Sequence, residues 1–290
     1  MSRAASTLAF FAFLALTPAA IALNNRSAVS VNGLDSNACT VASPCRSFGV
    51  ALAATADGGE VVALDSAGYG PFSIAQNVTV TGAPGVHAAI TATIGNAIDV
   101  TAGNHIVIGN LFILGNGSGS NGILNSGAGF LHVHNCFVQG FLSRGVGSTA
   151  TAIKTVVDHC TFENTSTGIE FDDTTGTIDN CSVNSNATGI ALTSTTTLVI
   201  ADITQTTLRF NETGINLSAN GGAYIVVDRC SLFGDNTGFQ VFGAALTMTW
   251  VLLNNNFVDY LTASGTYQIF TYGNNVIHNR SATLTPSPLE

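Results

Sequence analysis

The sequence predicts an all-β protein, a right-handed parallel β-helix solenoid of about nine or ten coils with a short N-terminal capping helix. Three observations predict it. Two sequence landmarks recur in phase over about half of the 290 residues. Apolar residues between them alternate with polar ones, and no apolar run keeps a helical period.

The first landmark is Gly followed by an apolar residue: Gly122-Ile123, Gly145-Val146, Gly168-Ile169, Gly189-Ile190, Gly214-Ile215 and Gly238-Phe239, at intervals of 21 to 25 residues. The second is apolar-x-x-(Cys/Thr)-x-apolar. It appears at Val133–Val138, Val157–Phe162, Ile178–Val183, Ile203–Leu208 and Val227–Leu232, with weaker copies at Ile108–Ile113 and Leu253–Val258. A fixed period of this length is the signature of a solenoid.

One repeat reads directly. Gly-Ile-x-Phe/Leu opens a strand whose alternate residues, such as Ile169 and Phe171 or Ile190 and Leu192, point inward. A polar turn follows, such as Asp172–Gly176. A second short strand then meets a sharp bend, and a third strand places Cys181 and Val183 inside. The bend falls on Asn110, Asn135, His159, Asn180, Gln205, Arg229 and Asn255, and is expected to stack as an amide-rich ladder. Such a repeat cannot bury its own apolar face, whereas stacked copies can. Helical solenoids have similar periods, but these repeats are rich in Thr, Val, Ile, Asn and Gly, which favour strands and bends.

The ends follow from the same logic, since an open solenoid exposes core and strand edges. Residues 1–22 read as a signal peptide: Arg3, an apolar run Leu8–Leu16, and Ala20-Ile21-Ala22 as the cleavage site. The run is too short to span a bilayer, so the mature chain is expected to be secreted, periplasmic or extracellular, with no membrane span. Residues 23–60 are expected to form an N-terminal cap, with a helix over Phe48–Ala56 N-capped by Ser47 and ended by Gly58-Gly59. The β-helix is assigned to 61–282, its last coil near Gly273–Asn279, and a loose tail to 283–290.

Charge narrows the functions. Eight Lys and Arg stand against seventeen Asp and Glu, and only 9% of residues are charged. No basic stretch exists to neutralise phosphates, so nucleic acid is excluded as a partner. Of six cysteines, Cys39 and Cys45 flank a short polar loop and suit a disulfide worth about 2 kcal/mol. Cys136, Cys160, Cys181 and Cys230 all take the inward slot after the bend and are read as a buried stack, though turns one coil apart lie within bridging range.

The stretch Gly33-Leu-Asp-Ser-Asn, Cys39, Pro44-Cys45-Arg-Ser-Phe48, Ala51-Leu-Ala-Ala54, Gly58-Gly-Glu-Val61 and Asp65-Ser-Ala-Gly-Tyr-Gly70 resembles the entry to bacterial right-handed parallel β-helix repeat proteins of the pectate lyase-like superfamily. With the coils, the resemblance covers nearly the whole mature chain. It implies the fold strongly and the function weakly, because this fold hosts lyases, hydrolases, epimerases, adhesins and tailspikes.

The chemistry of those relatives is then tested residue by residue. Polygalacturonases place two carboxylates at the start of the Gly-Ile strand. Here the residue before that Gly is Asn121, Arg144, Thr167, Thr188, Thr213 or Thr237, and none is acidic. Pectate lyases need carboxylates for Ca²⁺ and an Arg or Lys as base. Glu170, Asp172 and Asp173 are the candidate calcium ligands, and Arg144, Glu170 and Asp172 the weak catalytic candidates. Asn216 and Gln240 extend the outward line of Glu170, with Phe242 and Phe270 as sugar-stacking faces. Asp158-His159 is read as structural by its repeat position, and His132 with His134 as a weak metal pair. The expectation is a non-catalytic module that binds polysaccharide or a cell-surface glycan, with no cofactor. The alternative is a calcium-dependent uronan lyase.

Overall fold

The computed structural model describes residues 23–149, 154–220, 222–262, 268–272, 274–277 and 285–286. The proposed leader, the end of the last coil (Gly273, His278 and Asn279) and most of the tail therefore lie outside the described residues. Within them the chain is a parallel β-solenoid with three long sheets. Sheet 1 has twelve strands, sheet 2 ten and sheet 3 nine. Each turn visits them in that order, as in Thr175–Asp179, Ser182–Asn184 and Thr188–Ser194.

Every strand pairing within the three sheets is parallel, and register is kept throughout except for one shift between Asn24 and Arg26 at the N-terminal strand. In sheet 3, Val146, Ile169, Ile190, Ile215, Phe239 and Tyr260 face one another turn after turn and are buried. Between them the backbone presents Glu170, Ala191, Asn216 and Gln240 outward, as the two-residue period of a strand requires.

The recurrent glycine has a steric cause. A Cβ on Gly122, Gly145, Gly168, Gly189 or Gly214 would come within 3.0 Å of the carbonyl oxygen of the glycine in the following turn. Only a residue without Cβ lets successive turns stack here. Asp259 fills the same slot in the last described strand of sheet 3.

Two corners per turn require left-handed backbone. The first, between sheets 1 and 2, holds Asn110, Asn135, His159, Asn180, Gln205, Arg229 and Trp250, at φ between 48° and 55°. Trp250, not Asn255, fills this slot in its turn; Asn255 belongs to the second corner, after sheet 2, with Asn164, Ser185 and Phe210. The expected amide ladder is not at the first corner, whose side chains project outward. It lies inside, one residue past the second corner. There Thr165, Asn186, Asn211, Asp235 and Asn256 are all buried. Asn211 Oδ1 accepts from the Asn186 backbone N–H (3.0 Å) and Nδ2 (3.1 Å), while Asn211 Nδ2 donates to the Val183 carbonyl at 3.1 Å. Asp235 Oδ1 takes the same role toward Asn211, at 2.7 and 3.0 Å.

At the N-terminal end there is one short helix, Phe48–Ala53, shorter than expected. Ser47 makes no side-chain cap bond; its hydroxyl donates to Asp35 at 2.9 Å instead. Gly58 and Gly59 do not end the helix, because they lie within the strand Thr55–Ala63. Phe48, Ala51 and Leu52 are buried, with Phe48 stacked on Phe72 at 4.7 Å. Cys39 and Cys45 form a disulfide with Cα atoms 4.6 Å apart. In the tail, Thr285–Pro286 pairs with Phe270 and Thr271 of sheet 1.

Candidate functional site

The outward faces of sheets 1 and 3 carry most of the polar chemistry. On sheet 3, Arg144 begins its strand and its side chain runs over Gly147, where a Cβ would collide with Arg144 Cδ. That path delivers the guanidinium to Glu170, one turn on. Nη2 donates to Oε1 at 2.8 Å, and Nε stands 2.7 Å from Oε2 without the alignment of a hydrogen bond. The bond to Glu170 raises the Arg144 pKa further; burial opposes this, and the charges of Glu170 and Asp172 add to it. An arginine held in its charged form is a poor proton acceptor.

The carboxylates expected to hold calcium have other partners. Glu170 is held by Arg144, and Asp172 accepts from the Thr193 hydroxyl at 2.9 Å. Asp173 sits at φ 49° and turns into the loop of the next turn. It accepts from the N–H groups of Thr195, Thr196 and Thr197 at 2.8, 3.1 and 3.2 Å, and from the hydroxyls of Thr195 and Thr196 at 2.6 and 2.8 Å. The Thr195 hydroxyl leads the bonds that hold its carboxyl far below the usual range. Among the described residues no three His, Cys, Asp or Glu are grouped to hold a metal ion.

Asn216 and Gln240 do extend the outward row of Glu170, and Phe242 lies in the row beside it, in register with Ser218. Phe270 does not join them. It belongs to sheet 1, opposite Thr247, because the chain has turned the corner before reaching it.

Sheet 1 presents a different surface. Its outer rows run Asp158, Asp179, Thr204, Asp228, Thr249, and beside them Val156, Thr177, Asp202, Val226, Thr247, Phe270. His132 Nε2 lies 2.7 Å from Asp158 Oδ2, and His159 Nδ1 lies 3.3 Å from Oδ1. Burial would raise the Asp158 carboxyl, but the bonds from the two histidines outweigh it and hold it low. His134 is lowered by burial first, then by the nearby imidazoles of His132 and His159.

Further along the same sheet lies a groove of about 600 Å³, lined by Thr177, Asp202, Thr204, Val226, Asp228, Arg229, Thr249 and Trp250. Trp250 is the sole tryptophan of the chain, is 65% exposed, and holds a φ of 52°. A left-handed conformation is unfavourable for a bulky side chain and persists only where its surroundings impose it. Stacking of the turns imposes it here, and the Trp250 N–H donates to Asn274 Oδ1 at 3.2 Å. Arg229 occupies the same slot one turn earlier, with Nε 2.8 Å from Asp228 Oδ2. Asp202 is exposed and has no hydrogen-bond or ion-pair partner among the described residues.

None of these groove residues stands out from the sequence as a site. One signal was present: Met248-Thr-Trp250-Val251-Leu-Leu253 matches the second landmark with Val251 in the Cys/Thr slot, and puts the only tryptophan at a corner.

The free cysteines Cys136, Cys160, Cys181 and Cys230 are buried. Burial first pushes Cys181 and Cys230 up to about 12, and Cys160 well above its usual value. Such thiols are chemically quiet.

No protein-family model matches the sequence, and no curated protein sequence matches it. Solved structures do. The chain superposes on an alginate lyase from Paenibacillus sp. str. FPU-7 with a TM-score of 0.67 at 15% identity, covering 91% of this chain and 99% of that one. It superposes on the pectate lyase Pel9A with a TM-score of 0.62 at 14% identity, covering 91% and 80%. It also matches the enzymatically active domain of tailspike protein 2 of bacteriophage CBA120, with a TM-score of 0.57 at 12% identity, over 79% of this chain and 45% of that one. At these identities the likeness shows the fold alone, a parallel β-helix.

Proposed function

We propose that this protein binds polysaccharide, without cleaving it, along the outer face of sheet 1. One observation carries the reading: an exposed tryptophan held at a strained corner of an open groove that Thr, Asp and Arg side chains also line. A flat aromatic face beside hydrogen-bonding groups suits a sugar ring, which is apolar on one face and hydroxylated at its edge. Phe270 lies in the row of Asp202 and Val226, two turns beyond Val226, and would extend the contact along the axis. Asn216, Gln240 and Phe242 on sheet 3 offer a second, weaker strip. The polysaccharide-acting proteins that share the fold support a glycan as ligand. The disulfide Cys39–Cys45 supports an oxidising compartment, and hence secretion by the segment 1–22. The helix Phe48–Ala53 is assigned the capping of the first turn.

The rival reading is a calcium-dependent uronan lyase built on Arg144, Glu170 and Asp172. Its base is weakened by the raised Arg144 pKa and the paired Glu170. Affinity electrophoresis against a panel of polysaccharides, with Trp250→Ala beside the unaltered protein, tests the binding reading. Retention by at least one polysaccharide, weakened about ten-fold by the loss of the aromatic face, is the expected result. Appearance of ultraviolet-absorbing unsaturated uronate in the presence of Ca²⁺, abolished by Arg144→Ala, would replace binding with the lyase reading.

A further inference from the structure

We infer that the groove on sheet 1 takes a glycan bearing free amino groups, and not a polyuronate. The inference rests on the proposed glycan binding and specifies its chemical class.

The argument starts from the charges that line the groove. Two carboxylates, Asp202 and Asp228, and one guanidinium, Arg229, face it. The guanidinium is already engaged by Asp228 at 2.8 Å, so it offers little uncompensated positive charge to a ligand. Asp202 has no protein partner among the described residues. A uronate entering here would meet Asp202 with no free cation beside it among the described residues, and like charges brought together cost binding energy. Pectate and alginate lyases share the fold, but their acidic polymers do not suit this surface.

The carboxylates also continue beyond the groove. Asp158, Asp179 and Asp228 occupy one outward row, with Thr204 between the last two, and Asp202 stands in the next row at the turn of Thr204. Asp179 accepts from the Thr204 hydroxyl. The opposing charge on this sheet is limited. Lys154 lies in a third row, opposite Phe130 and Thr175, with no carboxylate facing it in register. His132 and His159 are already bonded to Asp158. Strands pair at roughly 4.8 Å, so carboxylates recur along the axis at spacings comparable to a sugar unit.

Trp250 supplies the second, independent feature. Indole is the strongest side-chain partner for a cation placed over its face, and this one stands in solvent at the mouth of the groove. A chain of aminosugars would therefore find an aromatic face at Trp250 and, two turns away along the axis, the carboxylate of Asp202. Neither a neutral acetamide nor a carboxylate could use both.

The single tryptophan makes the experiment site-specific, because all indole fluorescence of the full chain arises at the groove. Titration with glucosamine tetrasaccharide, its fully N-acetylated counterpart and tetragalacturonate, at a pH where the amine is charged, compares the three classes. The glucosamine oligomer is expected to perturb Trp250 with an affinity that falls as salt is raised, and Asp202→Asn should weaken it about ten-fold. The other two oligomers should bind at least about ten-fold more weakly than it does. Equal or tighter binding by the acetylated or the uronate oligomer overturns the amino-glycan assignment and leaves glycan binding standing. Perturbation by none of the three, together with no retention in electrophoresis, overturns both. Asp202 is exposed and makes no bond, so its amide variant should keep the fold, and far-ultraviolet circular dichroism verifies that directly.

Discussion

At the first corner of each turn the left-handed slot is filled in succession by Asn135, His159, Asn180, Gln205, Arg229 and Trp250, all exposed. One residue past the second corner the slot is filled by Thr165, Asn186, Asn211, Asp235 and Asn256, all buried. Both positions are polar and both recur once per turn, yet one varies widely and the other is almost uniform. Burial explains the contrast. Outside, the only demand is on the backbone, and water satisfies whatever side chain follows. Inside, Asn186, Asn211 and Asn256 each accept from an N–H of the preceding turn and donate to a carbonyl, because an unmet buried polar group costs about 1–3 kcal/mol. Function is free to vary at the first corner, and that is where Trp250 stands.

Asn211→Leu should have the largest effect. It would strip partners from the Asn186 N–H, the Val183 carbonyl and Asp235, and should destabilise the protein by about 3 kcal/mol or more, while Gln205→Ala should stay within about 0.5 kcal/mol. Denaturant titration followed by two probes measures both, since solenoids can unfold in parts. Equal costs would break the distinction between the corners.

Asp235 sharpens it. Its Oδ2 is buried without a partner and lies 3.0 Å from a Cβ built on Gly214, where Asn186, Asn211 and Asn256 put Nδ2 against Gly168, Gly189 and Gly238 at 3.2 to 3.4 Å. Those amides donate to the carbonyls of Phe162, Val183 and Leu232. By register the fourth carbonyl is that of Leu208. A neutral carboxyl would donate to it as the amides do; a carboxylate would repel it. Burial raises the Asp235 pKa to about 6, against opposing bonds from Asn211. The native state then binds a proton that the unfolded chain has released. Stability from this group is full below about pH 4 and is lost as pH rises through about 6, by about 3 kcal/mol. Asp259, the other carboxyl buried in this corner, accepts from Asn256 Nδ2 at 3.1 Å. Asp235→Asn should flatten the pH profile between 4 and 7 and raise stability at the upper end; a profile unchanged by the substitution would show that Asp235 is charged in the fold.

A small effect on stability is expected at Trp250→Gly. Relief of the left-handed backbone and the greater freedom of an unfolded glycine oppose each other, leaving a change within about 1 kcal/mol. Glycan retention should nevertheless weaken about ten-fold, as for Trp250→Ala. A large destabilisation would mean that Trp250 is a structural side chain and not a binding one.

The fold was legible because it repeats. The glycine landmark marks a steric contact between turns, and the alternation of Ile169 with Glu170 or Ile215 with Asn216 marks a strand with one buried face. The buried cysteine slot was legible for the same reason. The ladder was misplaced because Asn favours left-handed corners and also satisfies buried amides, so Asn180 and Asn186 look alike in sequence while only the second is enclosed. The same ambiguity makes Asn255 read as a first-corner residue and hides Trp250. The site was legible only in part. Arg144, Glu170 and Asp172 were brought onto one face as expected, but their pairing with each other and with Thr193 depends on which turn stacks on which.

By itself the sequence determined the architecture: the period, the strand alternation, the inward and outward residues and the small disulfide loop. These are local or nearest-neighbour properties, repeated often enough to outweigh noise at any single turn. Only the tertiary structure decided the functional surface. The groove joins Asp202, Asp228, Arg229 and Trp250 from three successive turns, some 48 residues apart along the chain. Whether such side chains converge, pair off or lie on different sheets depends on corner position and register. A shift of one residue at a corner moves a side chain from solvent to core.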